Sequence, residues 1–332
     1  MASGVDSIGI HPFVWVFLAC VLDRAIGDPR WCPHPVVVMG WCITRLRCLA
    51  EAWAGDHPLR LRLAGGLITL LLVGGSGAAG WALTALVPLA PAGSLLQGTA
   101  LALVVIALAS ALAGRSLAQA VQVVLASLAS GDLPLARQRL AWIVGRDTDA
   151  LSEAEVLRAL AETASENAVD GLFAPLFWML IGATLGQPLA LAWGFKAAST
   201  LDSMLGYRTG TLRWLGTAGA RLDDLLVWLP CRLVALSLGQ LRPALQDGAP
   251  DPSPNAGVSQ AAYAHAVGVQ LGGRNSYRGR ERWKPLLAAG CPAPDQAAVL
   301  QMLGLSRRVA LLWLVLAVVG FALAHNVTKT LS

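Results

Sequence analysis

The chain is poor in charge. Asp, Glu, Lys and Arg make up 14% of its 332 residues, against roughly 25% in an ordinary soluble domain. That scarcity argues against a disordered chain, a coiled coil and a purely soluble globular enzyme. Cysteine is sparse as well. Cys20, Cys32, Cys42, Cys48, Cys231 and Cys291 form no C-x-x-C pair, which speaks against a zinc site or a disulfide framework and for free thiols in a reducing compartment. Lysine is almost missing. Only Lys196, Lys284 and Lys329 stand among 25 basic residues, at a net charge of +5. An arginine excess suits anionic lipid headgroups or phosphorylated ligands. The arginines are spread over several loops and form no basic stripe, so no nucleic-acid partner is expected. No Gly-Lys dipeptide exists, which excludes a Walker A loop, and there is no H-E-x-x-H and no nucleophile elbow. Any phosphate chemistry must therefore rest on carboxylate-held Mg²⁺ with Arg and Lys clamps. No Lys or Arg precedes Arg24, so the positive start of a signal peptide is lacking and the first apolar run is expected to be retained.

Apolar sequence is what the chain has in abundance: 55% hydrophobic residues and a mean hydropathy of +0.58. Residues 63–90 carry no charge across 28 positions, 94–114 none across 21, and 309–328 none at all. A spanning helix needs about 20 apolar residues. Run 7–22 is shorter, and it continues past Asp23 if that carboxylate faces protein. Spans are expected near 7–26, 63–90, 94–114 and 309–325. Segment 23–62 holds six arginines and 115–170 five, whereas 1–22 holds none. The positive-inside rule then puts the N-terminus outside and the long loops in the cytoplasm, with the chain in the cell's inner membrane. Run 171–195 is uncharged but interrupted by Gly182, Gly186 and Pro188. Each half has about ten residues, some 15 Å of helix, which predicts a re-entrant hairpin near 172–195, with a single span as the alternative. Run 225–241, interrupted by Pro230 and Arg232, predicts a half-inserted helix. Segment 116–129 reads as an amphipathic helix, and Ser152-x-x-Glu155 as a capping box opening a helix of about 16 residues. Segment 243–257 is Pro/Gly-rich loop. The expected fold class is all-α: a polytopic integral membrane protein with re-entrant and half-inserted helices and cytoplasmic helical loops, one membrane-embedded domain over 1–332.

Polar residues cluster. Arg158, Glu162, Glu166 and Asp170 follow at i, i+4 spacing in one stripe. A solvated face explains such a stripe. So does a site, because Glu166, Asn167 and Asp170 stand just before the expected hairpin, where carboxylates are costly unless they face a cavity or a ligand. After the hairpin come Lys196, Ser199, Thr200, Asp202 and Ser203. Lys196 alone is a snorkelling lysine; with Asp202 and the earlier acids, a phosphate-and-metal site competes with that reading. Arg221 is followed by the pair Asp223-Asp224, either an acidic helix start or an Mg²⁺ ligand pair. Arg146-Asp147 reads by itself as ordinary loop. Ser253, Asn255 and the run Gly272-Gly273-Arg274-Asn275 flank a helix of small residues. They suit an anion at a helix N-terminus, and equally close packing.

Five stretches, in order, resemble the CobD/CbiB family of cobalamin-biosynthesis membrane proteins, the adenosylcobinamide-phosphate synthases. They are LDRAIGDPRWCPHPVVVMG (22–40), IVGRDTDALSEAEVLRALAETASENAVDGLFAPLFWMLIG (143–182), KAASTLDSMLGYR (196–208), ARLDDLLVWLPCRL (220–233) and SPNAGVSQAAYAHAVGVQLGG (253–273). The chain carries Ser199, Gln260 and His265 where the family usually has Asn, Glu and a small residue. The resemblance implies an ATP-dependent ligase. It would join (R)-1-aminopropan-2-ol, or its O-phosphate, to the propionate carboxyl of adenosylcobyric acid, activated as an acyl phosphate. It implies ATP and Mg²⁺ as co-substrate and metal.

On that reading Glu166, Asp202 and Lys196 are catalytic, with Glu166 the base. Asp170, Asp202, Asp223 and Asp224 ligate metal. Arg146, Asn167, Thr200, Ser203, Arg221, Ser253, Asn255, Gly272, Gly273, Arg274 and Asn275 bind substrate or phosphate. The small-residue segment 255–273 lies against the corrin, and the site opens to the cytoplasm. Membrane lipid, other membrane enzymes of corrinoid assembly and a homo-oligomer are the further partners expected. The rival reading is a transporter with a re-entrant-loop site; the charge-free spans and unlike halves of the chain speak against it.

Overall fold

The structure is a computed structural model that describes residues 11–28 and 34–331. It opens with α1 (Pro12–Ala25), α2 (Pro35–Ala54), α3 (Pro58–Leu89) and α4 (Leu95–Ala109). Then come α5 (Gly114–Ala129), α6 (Leu133–Leu140), α7 (Glu153–Ala168), a π turn (Val169–Phe173), α8 (Ala174–Thr184) and α9 (Pro188–Leu205). The short α10 (Leu212–Leu215) leads to α11 (Thr217–Ser237), α12 (Leu241–Gly248) and α13 (Ala256–Val267). A hairpin of β1 (Leu271–Tyr277) and β2 (Arg280–Leu287) precedes α14 (Gln296–Leu331).

Two compact units emerge. The first comprises α1–α4, α8–α10, the start of α11 and the end of α14; the second comprises α5–α7, the π turn, the rest of α11, α12, α13, the hairpin and most of α14. In the first, Met39 and Ile43 of α2 pack with Leu61, Ile68 and Leu72 of α3 and with Ala197, Leu201 and Leu205 of α9. Gly65 allows α3 to touch α10, because a Cβ there would lie 1.9 Å from the Leu215 carbonyl oxygen. In the second, α7 and α13 bury their facing sides together with Tyr263, whose hydroxyl meets Ser306 Oγ at 2.6 Å.

Three helical runs are long and apolar enough to cross a membrane: Pro58–Leu89, Glu153–Thr184 and Gln296–Leu323. A fourth arises if α4 and α5 count as one broken span. At 1.5 Å per residue the 32 residues of α3 rise about 48 Å, beyond the roughly 30 Å of a bilayer core. Leu63, Leu67, Leu70, Leu71, Trp81, Leu86 and Leu89 of α3 are exposed, as a lipid-facing surface requires. The spacing Gly75-x-Gly77-x-x-Gly80 falls inside this helix and not in a strand-to-helix turn, so it is no dinucleotide loop.

Several expectations hold and several shift. The capping box is present, with Ser152 Oγ on the Glu155 amide and the Glu155 carboxylate on the Ser152 amide, and α7 runs 16 residues from it. The hairpin break falls at 185–187, between α8 and α9. Its arms are unequal, 11 and 18 residues, and Lys196, which ends the uncharged run, sits inside α9. Of the first expected span, residues 7–10 lie outside the described residues, and α1 covers 14 residues. Residues 29–33 of the motif at 22–40, Cys32 among them, are also outside.

Pro230 does not break α11, which continues for 21 residues. Proline lacks the N–H that would meet the carbonyl four residues back. That carbonyl, on Leu226, accepts instead from the Trp178 indole at 3.1 Å. The all-α expectation also needs one correction, since 271–287 forms an antiparallel hairpin. Its two-residue turn, Arg278-Gly279, has positive φ at both positions, 52° and 71°, as a type I′ turn demands. Asp147 holds this turn: its carboxylate accepts from Ser276 Oγ at 2.6 Å and from the Arg278 and Gly279 amides at 2.9 and 2.8 Å.

Trp178→Phe should strand the Leu226 carbonyl and lower stability by about 1–3 kcal/mol, read as a drop in Tm of the detergent-solubilised protein. An unchanged Tm would mean that another donor serves Pro230. The Ser276, Gly279 and Arg278 hydrogen bonds hold the Asp147 carboxyl below its ordinary value. A folded-state pKa below the unfolded one stabilises above the unfolded value and is lost as pH falls through the folded one. Protection factors of the Arg278 and Gly279 amides, taken against the intrinsic exchange rate at each pH, should therefore be high at neutral pH and fall only in acid, whereas Asp147→Ala should lower them throughout.

Candidate functional site

The candidate residues divide between the units. In the first, α9 carries Lys196, Thr200, Asp202 and Ser203, and the start of α11 carries Arg221, Asp223 and Asp224. Close backbone packing brings the two helices' acids within reach of each other. A Cβ at Gly216 would lie 1.9 Å from the Leu205 carbonyl oxygen, and one at Gly206 would lie 2.1 Å from Asp202 Oδ1. Both glycines are therefore spaces that a side chain would fill, the second of them beside the carboxylate itself. Burial pushes the Asp223 carboxyl up to about 7; the negative charges of Asp202 and Asp224 add to the shift, and Lys196 opposes it. Asp223 Oδ1 is buried and accepts no hydrogen bond. Burial also raises Asp224, against the nearby Arg208. Thr200 and Ser203 donate their hydroxyl protons to the carbonyls of Lys196 and Ser199 in their own helix, at 2.7 and 2.9 Å. Arg221 is exposed.

Among the described residues no group of three or more His, Cys, Asp or Glu side chains is placed to hold a metal ion by itself. Mg²⁺ seldom asks for one. It is commonly bound by one or two carboxylates, with waters and substrate phosphates completing the octahedron. Mutually repelling acids, an orphaned buried carboxylate oxygen and a neighbouring lysine fit that mode. Asp170 belongs to the other unit, in the π turn. An apolar groove of about 440 Å³ between α2, α3 and α9, lined by Met39, Cys42, Leu72, Ser76 and Trp193 among others, carries no charged side chain.

In the second unit the charged stripe of α7 is turned inward. Glu162 is 1% exposed. It pairs with Arg146 through one oxygen, and through the other with Arg158 at 3.3 Å and the Gly272 amide at 2.9 Å. Arg146 also donates to Asn275 Oδ1 at 2.7 Å. Arg158 donates to the Gly272 carbonyl and, at 2.7 Å, to the Arg274 carbonyl. This network ties β1 to α7. Arg146, Gly272 and Asn275, expected on phosphate, are thereby brought together by Glu162, an acid that the spacing had offered only as part of a stripe.

Gly272 and Gly273 have φ of 83° and 87° at the irregularity in the hairpin register. A Cβ on Gly272 would meet the Pro285 carbonyl oxygen at 1.9 Å, so close packing accounts for these glycines. Arg274 forms an exposed pair with Glu281. Asn167 is exposed and donates to Thr163 Oγ1 at 3.4 Å. Asn255 Oδ1 accepts from Arg232 at 2.6 Å, and Ser253 Oγ accepts from the Ala256 amide that opens α13. Residues 256–264 of α13 are buried throughout, so this helix does not present its small residues as an open surface to a corrin.

Glu166 faces residues that sequence reading left out of the site. Its Oε2 accepts from Gln260 Nε2 at 2.7 Å. Lys284 of β2 stands near Glu166 and lies 3.6 Å from Asp251 Oδ2. Burial alone would lower the Lys284 ammonium, but Glu166 and Asp251 together hold it above the usual lysine value. The signal that could have found it is rarity: Lys284 is one of three lysines in the chain.

Span-length apolar helices and two groups of wholly or partly buried carboxylates with cations are those of a helical membrane protein that carries polar clusters. The sequence profile of the CobD/Cbib protein family matches residues 16–306, and the chain belongs to that family. It is 43% identical to the cobalamin biosynthesis protein CobD of Synechocystis sp. over 320 residues, 92% of each chain. It is 38% identical to the CobD protein of Pelobacter propionicus over 327 residues, 94% of this chain and 96% of that one. With the cobalamin biosynthesis protein CbiB of Salmonella typhimurium it shares 38% over 309 residues, 89% and 91%. No solved structure matches the chain.

Gly206→Ala should displace the Asp202 carboxylate without unfolding α9, since φ at Gly206 is −67°. Tm should then fall, since the same Cβ would also lie 2.6 Å from the Asp202 carbonyl oxygen. An unchanged Tm would show that the space at Gly206 accepts a methyl group.

Proposed function

We propose that the protein acts in cobalamin biosynthesis as an ATP-dependent amide ligase. It would join 1-aminopropan-2-ol or its O-phosphate to the propionate carboxyl of adenosylcobyric acid. Family membership and the relatives' names support the pathway. The observation that carries the chemistry is Asp223, whose buried, unpaired oxygen lies beside other acids and a lysine.

A carboxylate does not react with an amine until its oxygen becomes a leaving group. Transfer of the ATP γ-phosphoryl to the propionate oxygen gives an acyl phosphate and ADP; attack by the amine nitrogen then forms the C–N bond and expels phosphate. Asp202, Asp223 and Asp224 would hold Mg²⁺, which when bound neutralises phosphate charge. Lys196 would supply a point charge to the same phosphates. The amine arrives as an ammonium and must lose a proton before it attacks. Glu166, half-buried with one oxygen already held by Gln260, would take that proton. The Glu162 network, with Arg146 and Arg158 committed to it, positions β1 and leaves these arginines to structure.

The test is incubation of detergent-purified protein with Mg-ATP, adenosylcobyric acid and each amine, with the corrinoid product weighed by mass spectrometry. The amide product and ADP are expected in equal amounts. Asp202→Asn should cut turnover by about 10²-fold or more, and Glu166→Gln by about 10²–10⁴-fold, both with Tm retained. Near-normal turnover in either variant removes that residue from its role, and no product with any amine overturns the ligase reading.

A further inference from the structure

The first unit carries, on α2, α3 and α10, more positive charge than its own acids meet. These helices hold five arginines, Arg45, Arg47, Arg60, Arg62 and Arg213, and one acid, Glu51. Glu51 is taken by Arg47 at 3.1 Å and by the Thr211 hydroxyl at 2.7 Å. The acids of α9 and α11, Asp202, Asp223 and Asp224, are matched in number by Lys196, Arg208 and Arg221. Arg45, Arg60, Arg62 and Arg213 are exposed, and among the described residues none has a carboxylate partner, Asp56 of the α2–α3 loop included. They lie over tryptophans instead. Arg45 is 5.6 Å from the Trp41 ring centre, Arg60 is 5.9 Å from that of Trp53, and Arg62 and Arg213 stand 4.4 and 4.8 Å from the one ring of Trp214. A guanidinium stacked on an indole keeps its fork of N–H donors free for an anion.

A second and independent observation is the apolar groove of about 440 Å³ between α2, α3 and α9. Val38 and Leu71, on two of its walls, are 58% and 54% exposed, so the groove opens on the same apolar face as Leu67 and Leu70. Along α3 it runs from Leu71 to Ala79, about 12 Å at 1.5 Å per residue. That fits within one leaflet's hydrocarbon, roughly 15 Å as half of a bilayer core. Arg45 follows Val38 and Cys42 at i+7 and i+3, on one face of α2. A cation without a carboxylate partner therefore stands one helical turn from the last α2 residue that lines the groove.

We propose that this groove and Arg45 bind one anionic phospholipid. An acyl chain lies in the groove against Val38, Cys42, Leu71 and Gly75, and Arg45 donates to the phosphate oxygens. Arg60, Arg62 and Arg213 raise the positive potential beyond it and favour an anionic headgroup over a zwitterionic one. A belt of arginine and tryptophan that only anchors the protein at the interface needs neither the groove nor a headgroup preference. The proposal is independent of the ligase reading, since it uses none of the residues assigned to that chemistry.

Native mass spectrometry on the full-length, delipidated protein in detergent tests this, with phosphatidylglycerol and phosphatidylcholine of identical acyl chains as the probes. One phosphatidylglycerol should be retained per chain, at least about tenfold more tightly than phosphatidylcholine. Arg45→Gln should bring the two lipids within about twofold of each other. Gly75→Leu should weaken both about tenfold. A Cβ at Gly75 meets nothing within 4 Å, so leucine fills the groove without moving its walls, and the lipid-free Tm should match that of wild type. This variant keeps every arginine, so it reads the groove even if the Arg45 change disturbs folding. Glycerol phosphate, the same headgroup chemistry without chains, should not displace the lipid at equal concentration. Equal retention of the two lipids by wild-type protein would leave an interfacial belt alone and overturn the proposal. So would undiminished phosphatidylglycerol binding in Gly75→Leu, a full preference in Arg45→Gln, or displacement by glycerol phosphate, which would make Arg45 a site for free phosphate.

Discussion

A carboxylate in a chain this apolar must have its charge met, and Glu162 shows what that demands. At 1% exposure it is met by two guanidinium groups and a backbone amide that converge on its two oxygens. Such a pair contributes little net stability, since desolvation consumes most of the attraction; losing one partner is what costs heavily, roughly 3–5 kcal/mol. Its value is geometric. Arg158 can reach Glu162 and the Gly272 and Arg274 carbonyls at once only when β1 lies in one register against α7. Lys284 is opposite Gly273 in that register, so the network that fixes β1 also fixes where Lys284 stands relative to Glu166.

Much of the helical frame was legible because the bilayer and the helix impose strong periodic rules. Charge-free runs gave α3 and the last span, the capping box gave the start of α7, and Gly186 with Pro188 gave the turn before α9. The errors share a cause. Pro230 reads as a break because a sequence shows the missing N–H but not the Trp178 indole, 48 residues away in the chain, that meets the stranded carbonyl. The hairpin escaped notice because Arg-Gly is a weaker turn signal than Asn-Gly, and because Arg274 to Lys284 are too polar to read as a buried strand pair. Asp147, which secures that turn, looked like ordinary loop.

The candidate site was legible in part, and the division follows chemistry. Local spacing marks residues that neighbour one another on a helix, so Asp223-Asp224 and the α7 acids stood out. Partners across the fold did not: Gln260 lies 94 residues from Glu166, and Lys284 is an isolated basic residue among arginines. Spacing also cannot say whether a side chain is already spoken for. Gly272, Asn275 and Arg146 have the right character for phosphate, yet each is engaged with Glu162 or its partners.

That engagement narrows the search for a phosphate clamp. Arg is the better residue where a bidentate, permanent contact is wanted, and here it is used for structure: Arg146 and Arg158 on Glu162, Arg232 on Asn255 and the Pro254 carbonyl. Lysine makes weaker, reorientable point-charge contacts. Lys284 is loosely held by two carboxylates, and Lys196 acts on the Asp202–Asp223 pair. A ligand that must bind, react and leave is served better by a cation that can exchange partners than by one locked in a fork. On the proposed ligase reading, Lys196 would be the cation that meets a substrate phosphate.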